Sequence, residues 1–173
     1  ANPSGRLKAL ARAADDCYRE ARASDMPAAS PLLVDAQTNV LKSLKLFSET
    51  FSRYAGENGD ARDIIRRIGT DELYREALDY ALLAERQYYE AMVHWGVSLD
   101  PDFPGRIPDG SGLEFDVWKN QPLLVKNVIA AGYLEKRRML RDYYPHDLAA
   151  RVDSFLESGQ AEGLGIRNVD EAV

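Results

Sequence analysis

Few side chains in this chain have the chemistry of a catalytic or metal-binding group. Its 173 residues include two histidines and one cysteine. The most suggestive spacing joins Arg141, expected at the end of one helix, to His146, expected at the start of the next. An imidazole titrates near neutral pH and moves protons, and a guanidinium binds phosphate oxygens. Arg141 and His146 are therefore the first candidates for a catalytic pair.

Residues 141–146 resemble the R-x4-H motif of the HEPN-type helical ribonucleases, including the polar residue directly after the arginine. The resemblance implies an enzyme that cleaves RNA without a metal, across the cleft of a homodimer. It also implies that His146 moves the ribose hydroxyl proton and that Arg141 holds the scissile phosphate. This ribonuclease is the alternative to the function that we favour.

Three basic residues lie shortly before this segment: Lys136, Arg137 and Arg138. Under the ribonuclease hypothesis they form an anion-binding surface that attracts RNA. They also suit a simpler interpretation, because cations in the last turn of a helix compensate its negative dipole end. We favour this simpler interpretation for Arg141 as well.

The acidic residues do not have the spacing of known metal sites. Residues 100–111 begin like an EF-hand loop, but Pro104 and Ser111 stand where two of the oxygen ligands are needed. Glu90 and His94 are four residues apart, whereas a dinuclear site in a bundle needs Glu-x-x-His on two helices. The sequence therefore predicts no metal and no cofactor.

Nucleophilic catalysis is not favoured either. A serine or cysteine nucleophile needs a base within hydrogen-bond reach, and neither histidine lies in a recognisable nucleophile motif. No glycine-rich phosphate loop follows a strand, and no strand is predicted. Cys17 belongs to a series of apolar residues spaced three or four positions apart, so we expect it in the core rather than as a reactive thiol. The residues alone leave open whether the chain is an enzyme, and they favour a protein that is not.

Several aromatic residues exceed the apparent needs of a core. The candidates for contact with a partner are Phe103, Phe115, Trp118, Tyr143 and Tyr144. Aromatic side chains bury a large area in protein interfaces. Alternatively, the loop that carries the first three folds back and buries them locally, and both interpretations stay open.

The favoured function is a non-catalytic helical interaction or assembly protein, such as an adaptor, a chaperone-like protein or a structural subunit. Its partner is another protein or a further copy of the chain. A third and less favoured hypothesis is a small-ligand site in the core near Gln37 and Glu85, two polar residues on or near apolar helix faces.

The spacing of apolar residues predicts an all-α fold. Residues 7–21 and 40–54 carry apolar side chains every three or four positions, which places a stripe on one side of a helix. We expect one domain, a bundle of five to six helices over residues 1–158. Prolines and glycines predict an irregular loop at 97–112, and few large apolar residues predict a flexible C-terminal tail at 159–173.

A long helix is predicted from Thr70 through Trp95, ending at Gly96. Its apolar surface is broad, which suggests contact with two neighbours rather than one.

The composition is that of a folded soluble protein, with 45% hydrophobic and 29% charged residues. The net charge of -6 argues against a general nucleic-acid or membrane binder, which needs a cationic face. No apolar run reaches the roughly 20 residues of a membrane span, and the N-terminus lacks the pattern of a secretory signal. With a single cysteine, the chain is expected in the cytoplasm.

Overall fold

The structure, a computed structural model, describes residues 2–140 and 143–173. These residues form nine α-helices and no β-strand, which confirms the predicted all-α class. The predicted count of five to six helices is wrong, because short helices also form beside the long loop and within residues 159–173. The helices are α1 Ser4–Ala23, α2 Pro31–Ala55, α3 Ala61–Thr70, α4 Glu72–Leu99, α5 Phe115–Lys119, α6 Leu123–Arg137, α7 Pro145–Glu157, α8 Gln160–Gly163 and α9 Val169–Ala172.

The chain forms two compact units, residues 1–84 and residues 85–173, and the boundary falls within α4. The single domain over residues 1–158 therefore stays a prediction. Among the described residues, no helix is both long enough and apolar enough to cross a membrane.

In the first unit, α1 packs along α2. The side chain of Ser30 accepts a hydrogen bond from the N–H of Leu33 and so caps α2, with Pro31 in the first helical position. The buried face of α1 is Leu7, Ala11 and Ala14. Small side chains on this face let α1 and α2 approach closely.

One position on α1 corrects a prediction made from the apolar ladder. Cys17 is exposed rather than buried, because the buried stripe runs through Ala11 and Ala14 on a neighbouring side of the helix.

One end of the first unit is closed by an apolar cluster. Its buried members are Leu7, Tyr54, Ala55, Ile64 and Ile68, with Phe51 and Tyr74 packed against them. The side chain of Asp71 accepts hydrogen bonds from the Tyr54 hydroxyl at 2.9 Å and from the Leu73 N–H at 2.9 Å. Asp71 thus joins the cluster to the first turn of α4.

The second unit is built around α6, most of which is buried. Trp118 of α5 is fully buried, and its indole N–H donates to Asp153 of α7 at 2.8 Å. The ammonium group of Lys126 donates to the same carboxylate oxygen at 2.9 Å. This carboxylate therefore connects α5, α6 and α7.

The proline- and glycine-rich loop lies between α4 and α5, and α4 extends past the predicted end at Gly96 to Leu99. The loop packs closely on the helices. A Cβ atom at Gly105 would lie 2.4 Å from Val97, and one at Gly110 would lie 2.9 Å from the ring of Tyr133. The Tyr133 hydroxyl also donates to the carbonyl of Gly110 at 2.7 Å.

The C-terminal segment differs from the predicted tail. Val169 is fully buried, and its N–H donates to the carbonyl of Leu113 at 2.9 Å. Asp170 accepts hydrogen bonds from Lys136 at 3.2 Å and from Arg137 at 2.7 Å. One valine and one ion-pair cluster thus attach residues 159–173 to the unit, and the flexibility predicted for this C-terminal tail stays a prediction.

Candidate functional site

One face of α4 in the second unit carries large apolar side chains without a cover. Tyr88 is 51% exposed, Trp95 61% and Leu99 65%, and Met92 between them is partly exposed. The four are separated by four, three and four residues, the spacing of the a and d positions of a heptad, so they line one side of the helix. We call Tyr88, Met92, Trp95 and Leu99 the α4 apolar face.

The residues on either side of the α4 apolar face carry no charge. Tyr89, Ala91 and Gly96 beside it are buried within the second unit, and Ser98 is exposed. Of these four residues only Ser98 is open to a partner, so the contact surface that α4 offers here is the apolar face itself. The arrangement favours contact with another apolar surface.

Aromatic rings continue from the α4 apolar face to the start of α7. The rings of Tyr88 and Tyr89 meet edge to face with centroids 5.4 Å apart. The Tyr89 hydroxyl and Nδ1 of His146 share a hydrogen bond of 2.8 Å. The ring of Tyr144 stacks on His146 at 5.7 Å and is 67% exposed. These contacts connect the α4 apolar face to the exposed ring of Tyr144 through the buried ring of Tyr89.

The five aromatic residues predicted as partner contacts are not brought together. Trp118 is fully buried, because α5 packs it against α6 and α7, which agrees with the interpretation that the aromatic residues near the loop are buried locally. Phe103 and Phe115 are partly buried. Tyr143 is partly buried, and the guanidinium of Arg151 lies 4.6 Å from its ring centroid. Tyr144 alone of the five is both exposed and in line with the rings that lead to α4.

Of the predicted catalytic pair, Arg141 lies outside the described residues. His146 is exposed, with Nδ1 bonded to Tyr89 and Nε2 3.5 Å from a carboxylate oxygen of Asp147. The Tyr89 bond fixes the orientation of the imidazole ring. Burial raises the pKa of Tyr89, and the negative charge of Glu85 adds to that rise.

The residues predicted to bind anions mostly form contacts within the second unit. Asp170 pairs with Lys136 and Arg137, and the hydrogen bond from Arg137 is the main reason why the pKa of Asp170 lies below its ordinary value. Arg138 caps the end of α6 in the left-handed conformation, with φ at 51°. The C-terminal segment therefore neutralises part of the positive charge that the sequence places here.

The two polar residues of the small-ligand hypothesis have different surroundings. The amide of Gln37 donates to the carbonyls of Ala21 at 2.7 Å and Ser24 at 2.6 Å, so it caps α1. Glu85 is half-buried, and its Oε1 has no hydrogen-bond partner among the described residues. Burial raises the pKa of Glu85 from 4.5 to about 7.

A pocket of about 220 Å³ lies in the second unit between the loop and α6. Arg86 lies at its edge and pairs with Glu90 and with Glu135, at 2.5 Å for the latter. Because these charges already pair with each other, the pocket offers no unpaired charge from them to a ligand. In the described parts of the chain, no group of three or more histidine, cysteine, aspartate or glutamate residues could hold a metal ion.

Comparison with known proteins finds no matching family model, no matching curated protein and no matching solved structure.

Proposed function

We propose that this chain is a non-catalytic helical interaction or assembly protein that binds its partner through the α4 apolar face. The observation that carries the proposal is the exposure of Tyr88, Trp95 and Leu99, each more than half exposed, along one heptad seam. Single exposed apolar residues are common on protein surfaces, but a contiguous patch marks an interaction site.

The shape of this surface favours a protein over a small molecule. Small-ligand sites are concave and enclose most of the ligand, whereas one side of a helix is convex. Tyr88 and Trp95 are also of the residue types that contribute most to binding in protein interfaces. The expected partner surface is therefore another helix, which pairs with residues at spacings of three and four.

Site-specific photo-crosslinking in living cells tests the proposal. A benzophenone amino acid is placed at position 88 in one variant and at position 65 in a control. Ile65 is as exposed as Leu99, at 65%, but it lies on α3. We expect protein crosslinks from position 88, either to another protein or to a second copy, in a large excess over position 65.

The identity of each crosslinked chain is read by mass spectrometry, and competition by unlabelled protein shows that the site is saturable. Equal crosslinking from positions 88 and 65 contradicts the proposal. So does the absence of crosslinks from both positions.

The alternative of a metal-independent ribonuclease is supported by one observation, the exposed imidazole of His146 held by Tyr89. A general base needs this kind of fixed orientation. Under this alternative, the chain cleaves RNA in the presence of a chelator, and His146→Ala abolishes cleavage while Tyr144→Ala retains it. Intact RNA after incubation with a large excess of the purified wild-type chain contradicts the alternative.

A further inference from the structure

The pocket between the loop and α6, which we call the α6 pocket, has walls that are fixed on both sides. On the loop side, the carbonyl of Gly110 accepts a hydrogen bond from the Tyr133 hydroxyl at 2.7 Å. On the helix side, the pocket is lined by Val128 and Ile129, which are buried in the second unit. The pocket is therefore formed before any ligand binds, as most small-molecule sites are.

Gly132 lies in the interior of α6 and lines the same pocket. A Cβ atom at this position would meet no atom within 4 Å outside its own helix and its chain neighbours. Packing against a neighbour therefore does not require a glycine here, although glycine destabilises the interior of a helix relative to alanine. Its effect is to expose helix backbone to the pocket, where a flat ring can approach closely.

The charged groups around the α6 pocket already have partners. Arg86 pairs with Glu90 and with Glu135, and Lys136 pairs with Asp170 at 3.2 Å. A ligand with a net charge would have to compete with one of these pairs. Arg86 uses its Nε and Nη1 atoms in its pairs, which leaves the N–H groups of Nη2 to donate to an acceptor atom. The lining thus fits a neutral ligand that carries a hydrogen-bond acceptor.

The volume sets the size of this ligand. A cavity of about 150 Å³ holds benzene, so about 220 Å³ has room for a bicyclic ring. We propose that the α6 pocket binds a small neutral heteroaromatic molecule, with its ring against the backbone of Gly132 and an acceptor atom towards Arg86.

The α6 pocket is separate from the α4 apolar face. At 100° per residue, Arg86 and Glu90 lie on the side of α4 opposite to Tyr88. The proposal therefore goes beyond the proposed function, and either can fail without the other.

Two-dimensional NMR of the isotope-labelled full chain tests the proposal. The probes are benzimidazole, quinoline and quinoxaline, three bicyclic rings with acceptor nitrogens that are neutral at about pH 7.5. Amide signals of residues 107–111 and 128–136 are expected to shift and saturate for at least one probe, with a dissociation constant on the order of 1 mM or below. Benzoate and benzamidine, flat molecules of opposite charge, are expected to bind about tenfold more weakly or worse.

Gly132→Leu fills the pocket from the helix side. The matched control is Gly69→Leu on α3, where a Cβ atom also meets nothing within 4 Å. Leucine is a good helix former, so neither variant is expected to lower the melting temperature. Gly132→Leu is expected to weaken binding of the probe by about tenfold or more, and Gly69→Leu to leave it unchanged. Gly132→Ala adds only a methyl group and is expected to weaken binding by a smaller factor.

Three results overturn the proposal. One is the absence of saturable shifts at the α6 pocket with all three neutral probes. Another is binding to Gly132→Leu and Gly132→Ala that is as tight as to the wild type, because the ligand would then lie elsewhere. The third is binding of benzoate or benzamidine as tight as that of the neutral rings.

Discussion

Tyr74 and Tyr88 occupy equivalent positions on α4, fourteen residues apart on one heptad seam. The ring of Tyr74 is partly buried, and its centroid lies 5.8 Å from that of Phe47 and 6.4 Å from that of Phe51 of α2. Tyr88 is half exposed and is followed on the same side by Met92, Trp95 and Leu99. The seam thus has a closed part in the first unit and an open part in the second, and Glu85 interrupts its apolar residues between them.

The difference shows what helical periodicity can and cannot specify. Spacing of three and four residues determines which side of a helix is apolar. It does not determine which neighbour covers that side, since this depends on the ends and lengths of other elements. Whether a part of the seam is covered therefore depends on the tertiary structure. Substitutions in the open part can be compared with substitutions in the closed part.

The largest expected effect is on the closed side. Ile64 is fully buried in the cluster with Tyr54, and the adjacent Ile65 is 65% exposed. Ile64→Ala is expected to lower the free energy of unfolding by about 3 kcal/mol through lost transfer energy and a cavity. Ile65→Ala is expected to change it by less than about 0.5 kcal/mol. Urea denaturation of both variants measures the contrast, and equal effects would refute the assignment of the cluster.

The next effect concerns Glu85, which occupies the seam position just before Tyr88. Its pKa in the folded chain is about 7 and its ordinary value is 4.5, so between these values the folded state binds more protons than the unfolded state. Stability should fall as the pH rises from about 4.5 to 7 and then level off. Because Glu85 is partly exposed, the loss is expected to be about 1–2 kcal/mol.

Glu85→Gln removes this titration. Denaturation from pH 5 to pH 8.5 should show a shallower decline for the variant than for the wild type, with the variant more stable at the alkaline end. Parallel profiles for the two proteins would contradict the role of Glu85.

A smaller effect is expected for the hydroxyl of Tyr54, which donates to Asp71 at the start of α4. Tyr54→Phe should cost about 1 kcal/mol, because Asp71 keeps its ion pair with Arg53. Tyr88→Phe is the matched control, and its cost should be near zero since its ring lies half in solvent. Thermal unfolding compares the two, and a cost for Tyr88→Phe as large as that for Tyr54→Phe would show that the open part of the seam is covered.

The smallest expected effect on stability is that of Trp95→Ala. The indole is 61% exposed, so the monomer should lose less than about 0.5 kcal/mol in dilute solution. A loss several times larger, measured by denaturation at low concentration, would place Trp95 in the core of the monomer.

Much of the helical framework is predictable from the sequence. Ser30 followed by Pro31 marks the start of α2, and Pro145 marks the start of α7. The failures have identifiable causes. Gly96 does not end α4, because it lies where Phe103 and Leu124 approach the helix, and a glycine there provides space rather than a stop.

The candidate site was harder to predict. The breadth of the apolar surface on the long helix was visible in the sequence, and it suggested two neighbours. Trp95 and Trp118 are both tryptophans near the same loop, so residue type alone does not distinguish them. Trp118 is the partner candidate from the sequence, but the structure buries it and exposes Trp95. The heptad spacing that joins Tyr88 to Leu99 was the available signal for the exposed seam, but its exposure depends on packing that no local pattern encodes.

The two tryptophans provide the most direct test, because Trp118 is fully buried and Trp95 is exposed. Trp118→Phe leaves Trp95 as the only indole fluorophore, and Trp95→Phe leaves Trp118 as the control. Acrylamide quenching is measured for each in dilute solution. The account predicts that Trp95 is quenched several times more strongly than Trp118 and emits at longer wavelength, because its indole is 61% exposed while that of Trp118 is fully buried. Quenching of Trp95 as weak as that of Trp118 would contradict the account.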